Sequence, residues 1–307
     1  MRQIFLDCSK QWRVYSHRGI PLCKEPPSVK VSIVTPSFRQ LEWLKLCAAS
    51  IADQKCVEFE HIIQDAGTGP KAEDWIKQNT SARLFVEKDA GMYDAINRGF
   101  DRATGDILAW LNCDEQYLPG TLEKVAQFFE THPQVEMLFA DAVLISQEGT
   151  PLSYRRMVRP HWLHIRLAHL NTLSCATFFR RSVLHERGLR FRTEWKAIGD
   201  AVWMCEIVKT GVRLAVLQEP LSVFTFTKVN LGASDVARAE ARRWRSLPDT
   251  PPLWLKKPIV FWHRLRKLAA GSYAPKSIDI EIYTRDSPHQ RIRKHLKRAP
   301  FGWPSSK

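Results

Sequence analysis

Between residues 29 and 140 the chain alternates short β-rich runs with amphipathic segments, and the connections between them are only a few residues long. Val29–Thr35 (VKVSIVT) is a strand pattern stopped by Pro36. Leu41–Ile51 places Leu41, Leu44, Ala48 and Ile51 on one helical face. Phe59–Gln64, Arg83–Glu87, Asp106–Leu111 and Met137–Ala140 read as further strands. Ala72–Gln78, Met92–Arg102 and Leu118–Thr131 read as the helices between them, with Met92, Ile96 and Phe100 at spacing four. Strands separated by helices pair in parallel, because a short hairpin cannot return the chain in the same direction. The expected fold is α/β, a mostly parallel sheet with helices on both faces. In such sheets ligands bind beyond the carboxyl ends of the strands. Polar residues gather there: Thr35-Pro36-Ser37, Asp65, Asp89, and Asn112 with Asp114.

After residue 150 the alternation fails. Cys175–Phe179 and Arg213–Leu217 suit strands and Asp200–Thr210 suits a helix. Residues 236–268 read as helical and increasingly basic, and beyond 270 the Pro, Ser and Lys content predicts a loose tail. Residues 1–28 end in Glu25-Pro26-Pro27-Ser28, a linker pattern. The expected organisation is an N-terminal extension over 1–28, a catalytic domain over 29–235, and a basic helical C-terminal extension over 236–307.

Apolar residues at 44% and charged residues at 25% exclude a disordered or collagen-like chain. The net charge of +14 is unevenly placed: residues 251–307 hold 13 Lys or Arg against 3 Asp or Glu. Such a tail calls for an anionic partner. The seven Cys form no CxxC pair and no zinc spacing, so reduced thiols in a cytosolic compartment are expected. Asp7 and Lys10 interrupt any apolar signal-peptide core, and no uncharged run reaches the length of a membrane span.

Four acidic positions carry the candidate chemistry. Asn112-Cys113-Asp114-Glu115 follows the apolar run Ile107–Leu111, where a carboxylate either binds a divalent cation or lies solvated in a turn. Asp65 either accepts a hydrogen bond from a nucleobase or ribose, or closes an Asx turn. Asp89-Ala90-Gly91 opens a helix, where N–H groups favour anions and Asp89 also suits an N-cap. Asp200 opens another helix, as a general base or again as a cap.

Taken together these segments resemble the family-2 glycosyltransferases of the GT-A fold, in the branch that builds bacterial surface polysaccharides. The blocks are Val31–Phe38, Asp65–Thr68, Glu87–Gly99 and Ala103–Glu115, in the family's order and spacing, and the likeness spans roughly residues 29–232. It implies a Rossmann-like GT-A sheet and an inverting transfer from a nucleotide-diphosphate sugar. Thr35, Pro36 and Phe38 would line the base pocket, and Asp65 would bond the base, commonly uracil. Asp89 and Gly91 would sit near the ribose and donor sugar. Asn112 and Asp114 stand at the ends of the family's Asp-x-Asp motif, which holds Mg²⁺ or Mn²⁺ on the diphosphate. Asp200 stands where the family has its base, and Ala176–Arg181 would help form the acceptor side.

The chain also departs from the family pattern. Asn112 replaces the first acid of the metal motif, Ala66 follows Asp65, Gly199 replaces the usual Glu, and Ser174-Cys175 replaces His-Gln. The implied partners are a nucleotide-sugar donor and a glycan or lipid-linked acceptor. In Pro252–Leu268, Trp254, Phe261, Trp262, Leu265 and Leu268 interleave with six basic residues. That composition fits a segment lying on an anionic membrane, at the inner face of the plasma membrane, or a packed helix with a solvated basic face. No helix-turn-helix, zinc-finger or RNP-like pattern supports nucleic-acid binding. A catalytically weak GT-A module that binds nucleotide sugars is the alternative to an enzyme.

Overall fold

In a computed structural model, residues 14–15, 27–227, 232 and 234–303 are described. The first half runs β1 (Val14–Tyr15), β2 (Val31–Ser37), α1 (Leu41–Ala52), β3 (Phe59–Asp65), α2 (Pro70–Asn79), β4 (Arg83–Val86), α3 (Met92–Arg102), β5 (Ile107–Trp110), β6 (Glu115–Tyr117) and α4 (Thr121–Thr131). The second half runs β7 (Met137–Ser146), β8 (Pro151–Arg155), α5 (Trp162–Leu167), β9 (Thr177–Arg180), α6 (Ser182–His185), α7 (Gly199–Lys209), β10 (Leu214–Phe226), α8 (Asp235–Arg245), α9 (Lys256–Ala269), β11 (Lys276–Thr284) and β12 (Ser287–Ala299).

The main sheet has the order β1-β10-β7-β9-β5-β2-β3-β4. Along this path the pairs are parallel except those of β9, which runs antiparallel to both β5 and β7, while β6 and β8 add to the same sheet antiparallel to β10 and β7. Alternating side chains of the central strands are apolar on both faces, as a sheet covered on both sides requires. One face seats α1 and α4: Cys47, Ile51, Leu122, Val125 and Phe128 meet Ile33, Ile107, Ala109 and Leu138. The other seats α3, α5 and α7: Ile96, Phe100, Ile165 and Trp203 meet Val34, Ile62, Leu108 and Trp110. The expected mostly parallel GT-A sheet with two helical layers is the one found.

The end of the chain differs from expectation. Helices do form over α8 and α9, but β11 and β12 make an antiparallel hairpin in place of a loose or helical tail. The reason is period-two patterning: Ile278, Ile280 and Ile282 point inward on Val143, Ile145, Tyr154 and Val223, while Asp279 and Glu281 face out. Polar contacts fasten it. Arg291 pairs with Asp53 (2.5 and 2.7 Å), and the Gln116 side-chain amide exchanges two hydrogen bonds with the Tyr283 backbone (3.0 and 2.9 Å). Most of the expected 1–28 extension lies outside the described residues, apart from β1, which adds to the sheet edge beside β10. No helix among the described residues is long and apolar enough to cross a membrane.

Candidate active site

The ends of β2 and β3 are stitched together. The Ala66 N–H donates to the Ser37 carbonyl (2.9 Å), and the Arg39 N–H donates to Thr68 Oγ1 (2.8 Å). Asp65, buried at the end of β3, accepts at Oδ2 from the N–H groups of Gly67 (2.9 Å) and Thr68 (2.7 Å). Its Oδ1 accepts from Thr68 Oγ1 (2.5 Å). Asp65 therefore closes the turn that shapes this rim, which is the Asx role weighed from the sequence. Of the residues expected to line a base pocket, Phe38 stands exposed with Arg39 over its ring (4.9 Å), and Pro36 is half-buried. Thr35 is different. Strand alternation turns its side chain into the α1 layer, fully buried, where Oγ1 bonds His61 Nε2 (2.9 Å). Burial holds His61 down to about 3, so that ring is neutral. At Thr35 only the backbone faces the strand ends.

The turn after β5 brings three uncommon neighbours together. Glu115 is fully buried: its Oε2 accepts from the Asn112 N–H (2.9 Å) and its Oε1 accepts from Ser174 Oγ (2.5 Å). Asn112 Nδ2 in turn donates to Ser174 Oγ (3.3 Å). Burial first, and the adjacent Asp114 second, push the Glu115 carboxyl up to about 8. Burial also pushes Asp114 up to about 6. The two departures at 112 and 174 thus belong to one arrangement: a neutral amide and a hydroxyl sit where further charge would face two crowded carboxyls. The turn is also tied to β2, because Cys113 Sγ donates to the Pro36 carbonyl (3.0 Å).

These residues meet the requirements of a divalent cation site in two respects. Asn112 Oδ1 is buried with no hydrogen-bond partner, and no cationic side chain among the described residues pairs with Asp114. No group of three or more His, Cys, Asp or Glu forms a cage among the described residues. Two oxygen ligands without a cage suit Mg²⁺ or Mn²⁺, which complete their shell with phosphate oxygens and water.

The turn between β4 and α3 faces the start of α7. Asp89 Oδ1 accepts from the Gly91 N–H (2.8 Å), closing an Asx turn ahead of α3, whose N-cap is Gly91 and not the expected Asp89. Gly91 takes φ +120°, a conformation that disfavours any side chain. Lys196 reaches across, and its Nζ donates to the Ala90 carbonyl (2.6 Å). Tyr93, the second residue of α3, donates from its hydroxyl to Asp200 Oδ1 (3.1 Å). The Ala201 N–H donates to the same oxygen (2.8 Å). Burial raises the Asp200 carboxyl above its ordinary range, against the pull of these two donors.

Gly199 now has a physical explanation. A Cβ at that position would lie 2.6 Å from two Tyr93 ring carbons, so the ring occupies the space a side chain at 199 would need. Tyr93, Glu115, Ser174 and Lys196 were not among the expected site residues. Tyr93 had a signal in the sequence, since Gly199 replaces the larger family residue beside the base, but its partner was not identifiable without the fold.

Comparison with known proteins follows the same lines. The family model described as "Glycosyl transferase family 2" matches residues 32–188, just over half of the chain. The "PGL/p-HBAD biosynthesis glycosyltransferase" of Mycobacterium tuberculosis is 35% identical over 121 residues, covering 38% of this chain and 47% of that one. The "Putative teichuronic acid biosynthesis glycosyltransferase TuaG" of Bacillus subtilis is 28% identical over 127 residues, covering 40% and 50%. The chain spans about half the length of these curated relatives. Among solved structures, S. aureus TarS 1–349 in complex with UDP-GlcNAc superposes with a TM-score of 0.55 at 17% identity, over 78% of this chain and 73% of that one. The mannosyltransferase PcManGT from Pyrobaculum calidifontis, in complex with GDP-Man and Mn²⁺, superposes with a TM-score of 0.54 at 19% identity, over 80% and 74%. At these identities the two structures share the fold with this chain.

Proposed function

This chain belongs to glycosyl transferase family 2, and from that premise we propose that it transfers a sugar from a nucleotide-diphosphate donor, a UDP-sugar in our reading, to a hydroxyl of a glycan or lipid-linked acceptor in polysaccharide biosynthesis. The observation that carries this reading is the Tyr93–Asp200 hydrogen bond (3.1 Å), which seats a half-buried carboxylate beside the donor-side turn at Asp89–Gly91. Transfer is a single displacement with inversion at the anomeric carbon. The acceptor oxygen attacks C1, its proton passes to Asp200, and the C1–oxygen bond to the nucleoside diphosphate breaks. Tyr93 and Ala201 both engage Oδ1, which leaves Oδ2 for the acceptor hydroxyl.

The donor's base and ribose lie over the rim formed by Pro36, Phe38, Asp65, Asp89 and Gly91, with Thr35 contributing backbone. Asp114, with Asn112, would hold a divalent cation, Mg²⁺ or Mn²⁺. When bound, that ion supplies Lewis-acid neutralisation of the departing diphosphate. Lys196 adds a positive charge beside the same turn. The protein works at the inner face of the plasma membrane, drawn there by its basic C-terminal region. The neutral Asn112 favours a second reading, a catalytically weak GT-A module that binds nucleotide sugars.

An Asp200→Asn variant tests the main reading. Transfer falls by on the order of a hundred- to ten-thousandfold, the usual worth of a positioned base, while calorimetric donor binding stays as in the wild type. Undiminished transfer by the variant refutes Asp200 as the base. Absence of transfer and donor hydrolysis in the wild type, with donor binding intact, favours the module.

A further inference from the structure

Helix α9 rests on the body through one side. His263 is buried and stacks on His164 of α5 (ring centroids 3.8 Å apart), and Arg266 donates to the Arg159 carbonyl (2.9 Å). The opposite side carries Trp254, just before the helix, then Phe261, Leu265 and Leu268, exposed by 73%, 63%, 48% and 62%. Positions 261, 265 and 268 recur at helical spacing and form one stripe, with Trp254 exposed in the turn before it. The helix has 14 residues and is about 20 Å long, and the stripe covers about 10 Å of it.

Further exposed rings lie beyond the C-terminal end of the helix. Lys267 lies over the Tyr273 ring (5.2 Å), and Tyr273 meets the Phe301 ring edge-on (4.8 Å). Arg155 donates to the Phe301 carbonyl (2.8 Å) and covers the Trp303 ring (5.5 Å). Phe301 and Trp303 are themselves 43% and 49% exposed. They are held there because the hairpin docks on the body and its end bonds Tyr154 of β8. The C-terminal end of α9 and the end of the hairpin, far apart in sequence, thus lie near each other, and each carries exposed apolar residues.

The charge around them has one sign. From residue 250 to residue 278 there are six Lys or Arg and no Asp or Glu. A two-fold contact with a second copy would set this patch against itself and oppose like charges. An apolar surface rimmed by cations is complementary to an anionic lipid leaflet, where rings enter the acyl boundary and Lys or Arg meet phosphates.

We propose that the α9 stripe and the Phe301–Trp303 segment together form a single docking surface for an anionic bilayer, with the hairpin fixing the segment in place. The inference rests on the peripheral-membrane part of the proposed function and adds a second, non-helical contact to it. Its test is co-sedimentation of the full chain with vesicles of phosphatidylcholine, with and without phosphatidylglycerol. Three forms are compared: wild type, Phe261→Ser with Leu265→Ser, and Phe301→Ser with Trp303→Ser. Circular dichroism and transfer to a soluble acceptor verify that each is folded.

The wild type is expected to bind only the anionic vesicles, and less in high salt. Each double variant is expected to bind about tenfold more weakly, as the loss of two partly inserted side chains predicts. A wild type that ignores anionic vesicles overturns the membrane reading as a whole. If the 261/265 variant loses binding and the 301/303 variant keeps it, the composite surface falls while membrane docking by α9 stands. A wild-type dimer that the 261/265 variant dissociates, without vesicle binding, replaces the lipid by a second copy.

Discussion

Tyr93→Phe removes one oxygen atom and isolates the control of Asp200. The ring stays stacked on Phe191 (centroids 5.2 Å apart) and over Gly199, so the packing of α3 against α7 is retained. What is lost is one of two donors to Asp200 Oδ1; the Ala201 N–H remains at 2.8 Å. Hydrogen bonds to a charged group contribute about 1.5–3 kcal/mol. At 3.1 Å this one is longer than the short charge-assisted kind. The lower figure applies, about 1.5 kcal/mol, and its loss raises the affinity of the carboxylate for a proton about tenfold.

The sign follows from the role. A general base works deprotonated, so activity falls as pH drops through its folded-state pKa, which burial has already raised. Losing Tyr93 raises it further, and the acid limb of the kcat/KM profile moves to higher pH. On that limb the variant is about tenfold slower, and on the alkaline plateau the difference shrinks. Stability carries the opposite sign. A carboxyl whose pKa is raised on folding binds its proton more tightly folded than unfolded, so its contribution declines as pH rises through that interval. The assay is the pH dependence of transfer, with donor binding measured alongside. An acid limb that stays in place or moves to lower pH refutes Tyr93 as the group that sets the charge on Asp200.

Gly199→Ala drives a methyl group to 2.6 Å from the Tyr93 ring, so urea denaturation is expected to report a loss of about 1–3 kcal/mol from overpacking; wild-type stability would refute the close packing. Glu115 titrates near 8 folded against 4.5 in its ordinary range, so in chelator the wild type loses stability as pH rises through that window. Glu115→Gln removes this dependence, a gain on the order of 5 kcal/mol at the upper end relative to the lower, read as urea midpoints; parallel profiles for the two proteins would disprove the raised value. Asp114→Ala abolishes the enhancement of donor binding by Mn²⁺ in calorimetry, with metal-free binding unchanged, whereas a retained Mn²⁺ effect assigns the ion to other ligands.

Most of the sheet was legible because hydrophobic period is a local property. Leu41–Ile51, Phe59–Gln64 and Met92–Arg102 correspond to α1, β3 and α3 almost residue for residue. The hairpin was equally legible in principle, since Ile278, Ile280 and Ile282 alternate with polar residues, but basic composition obscured a period of two. Thr35 could also have been placed, because it shares the strand face of Val31 and Ile33, which packs on α1.

The sequence by itself determined the α/β class, the strand ends at which polar residues gather, the family blocks and the concentration of positive charge near the C-terminus. The tertiary structure alone decided what those residues do to one another. Asn112, Ser174 and Glu115 form a single arrangement across 59 to 62 residues, Tyr93 holds Asp200 across 107, and α9 adjoins the end of the hairpin. The physical reason is that hydrogen bonding and burial depend on distances between side chains, which period and spacing along one chain do not encode until the layers pack.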